Sequence, residues 1–130
     1  GAFVEPGSFE ASILPSGEMT LGLVENAAGH FVGEVSEFVI SLGENLTSTT
    51  GSVTVGISAG VSFTLVDAPD TLNPLDTTDI TITSGSSASF FAVWGASGKA
   101  VTVTAALASG GAADLFATTS ATAVVRVRAK

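Results

Sequence analysis

The apolar residues of this chain recur at every second position. Met19, Leu21 and Leu23 fall on one face, then Phe38, Ile40 and Leu42, then Val53, Val55 and Ile57. Val61, Phe63 and Leu65 continue the pattern, followed by Ile80 and Ile82. Phe90, Ala92 and Trp94 come next, with Phe91 and Val93 on the opposite side; Val101, Val103 and Ala105 follow. The final residues, Ala-Val-Val-Arg-Val-Arg-Ala-Lys, alternate Val125, Val127 and Ala129 with Arg126, Arg128 and Lys130. A period of two puts alternate side chains on opposite faces of an extended strand. The spacing predicts roughly eight or nine strands in a sandwich or barrel.

The residues between these runs are turn formers. Asn26-Ala27-Ala28-Gly29, Gly43-Glu44-Asn45, Thr50-Gly51-Ser52, Ser84-Gly85-Ser86 and Ala96-Ser97-Gly98 all read as turns. Ser58-Ala59-Gly60 reads as a three-residue hairpin loop joining strands 52–57 and 61–66, with Gly60 at the position that favours positive φ. Residues 67–79 contain Pro69 and Pro74 and do not alternate, so they are expected to cross between two sheets, as in a Greek key. No stretch sustains a helical period; the best helical candidate is the short segment 111–116. Pro6 and Pro15 bracket Ser8–Ile13, so residues 1–18 are expected to form an extended arm or edge strand ahead of a single domain spanning 19–130.

Composition narrows the function classes. At 130 residues and 45% hydrophobic content the chain can bury one substantial core, and charged residues make up only 12%. The net charge is −8, and three of the four cations lie in the last five positions, the fourth being Lys99. Nucleic-acid binding requires clustered cations over a wide face, so it is not expected. No apolar run approaches the length of a membrane-spanning helix, and insertion into a membrane is not expected either. The absence of Cys excludes disulfides and thiolate metal sites. Gly1, with neither an initiator Met nor a signal peptide, reads as a processed mature end or a cloning boundary.

Few residues suggest chemistry. Gly56-Ile57-Ser58-Ala59-Gly60 has the G-x-S-x-G spacing, but a nucleophile elbow needs a strand-to-helix turn, and Ser58 lies between two alternating runs. His30, the single histidine, follows Gly29 and reads as a turn residue; no spacing links it to Ser58. Gly95-Ala96-Ser97-Gly98-Lys99 departs from the phosphate-loop pattern at Val93 and Ala100 and reads as a turn. Asp67, Asp70, Asp76 and Asp79 are the candidate calcium ligands; their spacing matches no standard calcium loop, and a solvated acidic loop is the simpler expectation. Asn45-Leu46-Thr47 is an N-glycosylation sequon, which makes Asn45 a candidate modification site. Trp94 lies in a continuous apolar run and is expected in the core rather than on a sugar-binding platform. No catalytic residue and no cofactor is expected.

The cadence of Gly51-Ser52-Val53-Thr54-Val55, a long loop, Ser84-Gly85-Ser86-Ser87-Ala88 and then Gly98-Lys99-Ala100-Val101-Thr102-Val103-Thr104-Ala105, closed by a strand such as 123–128, resembles the immunoglobulin-like domains of prokaryotic surface proteins. The Cys…Trp…Cys core of antibody domains is missing, so that branch is not implied. The resemblance implies an antiparallel β-sandwich that acts as a spacer or subunit in adhesins, surface layers and filaments, or as decoration on phage capsids. The expectation is therefore a non-enzymatic, extracellular or cell-surface subunit whose partners are copies of itself, or neighbouring surface or virion proteins. Phe3, Val4, Phe9 and Ile13 of the arm, with Arg126, Arg128 and Lys130 of the tail, are the expected assembly residues. The runners-up are a capsid decoration protein or adhesin module binding through loops and, behind these, a carbohydrate-binding module.

Overall fold

A computed structural model describes residues 17–130. The described residues form nine strands: β1 (Thr20–Leu23), β2 (His30–Phe31), β3 (Val35–Leu46), β4 (Val53–Ala59), β5 (Phe63–Val66), β6 (Asp79–Ile82), β7 (Gly85–Trp94), β8 (Gly98–Leu107) and β9 (Ser120–Arg128). The helical candidate is a single 3-10 turn, Gly111–Leu115. One sheet has the order β1-β3-β7-β5 and the other β2-β9-β8-β4-β6. All pairings are antiparallel except that of β2 with β9. The result is an all-β, sandwich-like architecture.

The core is assembled from the alternating faces. Phe38, Ile40 and Leu42 of β3 are fully buried, as are Val55 of β4 and Ala105 of β8, with Val125 and Val127 of β9 almost so. Phe38 and Phe90 are direct cross-strand partners, and their rings stack at 5.1 Å and 10°. Trp94 meets the edge of Phe38 at 6.2 Å and 69° and also contacts Phe63 at 6.4 Å. Such aromatic pairs contribute about 0.5–1.5 kcal/mol beyond the burial of their area. Trp94 is thus a core residue, 1% exposed.

Three local expectations are corrected. Ser58-Ala59-Gly60 is not a hairpin: β4 runs through Ala59 in one sheet, while β5 pairs with β7 in the other. The link is a change of sheet, and Gly60 is not among the glycines with positive φ. Gly43-Glu44-Asn45 is not a turn but an irregularity inside β3, where the register with β7 shifts between Ser41 and Leu46. Gly43 has φ +73°, and a Cβ there would lie 2.8 Å from the backbone nitrogen of Glu18. Third, His30 belongs to β2 and is buried rather than sitting in the turn.

The segment after β5 does cross from one sheet to the other before β6 begins at Asp79. Of the expected arm, only Gly17 and Glu18 are described; Phe3, Val4, Phe9 and Ile13 lie outside the described residues. Gly17 donates its N–H to the Leu115 carbonyl and accepts from Ala117 N–H, so the described chain begins beside the segment that leads into β9.

Candidate functional site

The chemistry-bearing side chains gather around β9 and the turn that precedes β2. Alternation along β9 turns Val125 and Val127 inward and leaves Val124, Arg126 and Arg128 exposed. On its outer edge β9 hydrogen-bonds among the described strands only to the two residues of β2, through His30–Val127 and Phe31–Arg128, extended by Val32 N–H to the Arg128 carbonyl, while β1 packs against β9 without pairing. From Ser120 to Arg126 that edge has no paired strand among the described residues. Val124 is 60% exposed there, the most exposed of the large apolar side chains among the described residues. Lys130 does not share this freedom, because its ammonium pairs with Glu34 of the same chain. Among the described residues, neither Arg126 nor Arg128 has a carboxylate partner.

Beneath the turn lies a buried polar network that periodicity did not reveal. Trp94 Nε1–H donates to Ser36 Oγ at 2.7 Å, and Ser36 Oγ is also 2.7 Å from His30 Nδ1. An indole nitrogen can only donate, so the serine oxygen accepts from Trp94; we assign the serine proton to His30 Nδ1, the tautomer that gives this buried hydroxyl an acceptor. The imidazole then carries its hydrogen on Nε2. That atom is buried without a hydrogen-bond partner, and the nearest charge is Glu25 Oε1 at 3.9 Å, on a side chain 82% exposed. Ser36 was missed, although a signal existed: it is the one polar residue on the inward register of Phe38, Ile40 and Leu42.

Ser36, His30 and Glu25 superficially form a nucleophile relay. The serine is 4% exposed and faces the core, so its oxygen is not presented to a substrate carbonyl. The arrangement therefore ties β2, β3 and β7 together rather than activating a nucleophile.

Two clefts flank His30. One, of about 310 Å³, lies against Val24, Glu37, Pro69 and Phe91. The other, of about 200 Å³, lies between the 25–29 turn and β9 and is lined by Gly29, Arg126 and Arg128, with Glu25, Asn26 and His30 shared by both.

The remaining candidates are dispersed. Asp67 is committed to its own loop: Oδ1 accepts from Thr71 Oγ1 at 2.7 Å and Asn73 N–H at 3.0 Å, and Oδ2 from Asn73 Nδ2 at 3.1 Å. The Thr71 hydroxyl, followed by Asn73, holds its carboxyl below the ordinary value. Asp70 and Asp76 are exposed, and Asp79 packs over Gly56 at the start of β6. Among the described residues no three acidic or histidine side chains converge to hold a metal ion. Asn45 is exposed near the end of β3. Ser58 is exposed on β4 opposite Thr104, and residues 95–97 join β7 to β8. Compared with known protein families, curated proteins and solved structures, the chain has no significant match.

Proposed function

We propose that this chain is a non-enzymatic structural subunit of an extracellular assembly, a filament or surface layer, in which copies join through edge strands and the N-terminal arm. The observation that carries this reading is the outer side of β9, which has no hydrogen-bonded strand from Ser120 to Arg126 among the described residues, although β1 packs near it, and which bears two of the chain's four cations on a body of net charge −8. An unpaired strand edge presents N–H and C=O groups to which another chain can add a strand. A donor segment from one copy on an acceptor edge of the next is a heterologous contact, and such contacts propagate. The acidic surface of one copy is electrostatically suited to the Arg126 and Arg128 face of another.

The strand orders support an immunoglobulin-like reading of the sandwich. β1-β3-β7-β5 corresponds to the A-B-E-D sheet of such domains, and β9-β8-β4 to G-F-C. The departure is β6, which joins beside β4 only after β5 has been laid down in the opposite sheet.

Removal of residues 1–13 tests the reading. The expected product is a folded monomer by circular dichroism and light scattering, with no polymers under negative stain, whereas the full chain forms them. Polymers of the truncated chain would remove the arm as connector. A full chain that forms only monomers or small closed oligomers would instead favour a decoration or adhesin module.

A further inference from the structure

The cleft between the 25–29 turn and β9 holds donors without acceptors. Arg126 and Arg128 reach it from alternate positions of β9, and neither has an ion-pair partner among the described residues. Asn26 Oδ1 accepts the Ala28 N–H at 3.0 Å, which fixes the amide orientation and leaves its NH2 as a donor at the cleft. His30 is 7% exposed, and its Nε2, which carries the hydrogen when Ser36 donates to Nδ1, is buried without a hydrogen-bond partner. A buried donor left unsatisfied costs about 1–3 kcal/mol, so this atom favours whatever brings it an acceptor.

We infer that this cleft is a binding site for a carboxylate, held by the guanidinium groups of Arg126 and Arg128 and by the Nε2–H of His30. The formal charge at the rim is two guanidiniums against the single carboxylate of Glu25, so an anion is favoured. Guanidinium forks match the two oxygens of a carboxylate. A volume of about 200 Å³ accepts a small carboxylate or the head of an acidic side chain, and lies below the roughly 300–1,000 Å³ of sites for larger ligands.

Glu25 already brings a carboxylate oxygen to 3.9 Å from Nε2, on a side chain that is 82% exposed. It is an internal competitor for the site. The inference does not depend on assembly: the carboxylate can come from a free small acid or from an acidic side chain of a second copy.

The single histidine and single tryptophan give resolved reporters in the 130-residue chain. The 15N-labelled chain is titrated with sodium glutarate at constant ionic strength, balanced with sodium chloride, following His30 Nε2 and the Trp94 indole. The expected result is an Nε2–H tautomer and a saturable shift of His30 that chloride alone does not produce. In R126Q/R128Q the Kd should rise about tenfold or more, and in E25Q it should fall about threefold. An Nδ1–H tautomer, a shift reproduced by chloride, or unchanged affinity in R126Q/R128Q overturns the site. Diluting the protein without glutarate distinguishes the sources. A His30 shift that follows protein concentration and is displaced by glutarate identifies a second copy as the supplier; a concentration-independent spectrum identifies a free carboxylate.

Discussion

Replacing Ser36 by Ala removes one hydroxyl and strands two buried ring nitrogens. Ser36 Oγ is the partner of Trp94 Nε1 and His30 Nδ1, each at 2.7 Å, and these residues come from β3, β7 and β2. Each buried group left unsatisfied costs about 1–3 kcal/mol. Shared relaxation makes the total less than the sum, so S36A should lose about 2–4 kcal/mol. For a domain of this size the melting temperature should fall by roughly 3–5 °C per kcal/mol, and hence by about 6–20 °C. Urea denaturation followed by Trp94 fluorescence measures the effect, which should appear as a lower midpoint with an unchanged slope. A double-mutant cycle with Trp94→Phe, read by circular dichroism, isolates the shared bond. The Trp94 substitution should cost about 1 kcal/mol less in the Ser36→Ala background. A loss below about 0.5 kcal/mol for Ser36→Ala, within the range of neutral surface changes, would refute the network.

Other expectations follow from single sites. Phe38→Ala, at a fully buried ring stacked on Phe90, should cost about 3–5 kcal/mol by thermal or urea unfolding. Gly43→Ala should destabilise by about 1–3 kcal/mol in the same assay, because φ is +73° and the new Cβ would press on the Glu18 backbone. The Asp67 carboxyl is held below its ordinary value of 3.8. Its contribution to loop order is therefore present above that value and lost as pH falls through the lower folded-state value. The Asn73 amide resonance should titrate with that depressed midpoint, and in Asp67→Ala the 68–74 backbone should gain motion in 15N relaxation; a normal midpoint would contradict the hydrogen bonding.

The faces of the strands were legible in the sequence because burial on one side of a sheet imposes a period of two. Phe38, Ile40 and Leu42, and likewise Val125 and Val127, point inward as their alternation requires. The change of sheet at 67–79 was legible because two prolines and a loss of alternation leave no strand to build. The hairpin at 58–60 was misread because local turn chemistry does not reveal which strand a segment pairs with. β5 finds β7 nearly thirty residues away; that choice is made by long-range packing. Gly43 was misread because positive φ serves a bulge as well as a turn.

The site itself was half legible. The cationic face of β9 followed from alternation in the last residues. His30 was misread because a two-residue strand has no period to detect and its partner, β9, lies almost a hundred residues further along the chain. Ser36 carried a signal, a polar residue at an inward position, whose meaning depended on knowing that Trp94 and His30 meet there.

The central claim, that the cationic face of β9 joins copies of this chain, is tested most directly by R126E/R128E. Both side chains are exposed and make no ion pair among the described residues, so the reversal should leave the melting curve within about 0.5 kcal/mol of the parent. Light scattering and negative stain of the two proteins at equal concentration give the answer. The account predicts polymers from the parent chain and monomers from the reversed one. Equal polymerisation of both, or a reversed chain that simply unfolds, would contradict it.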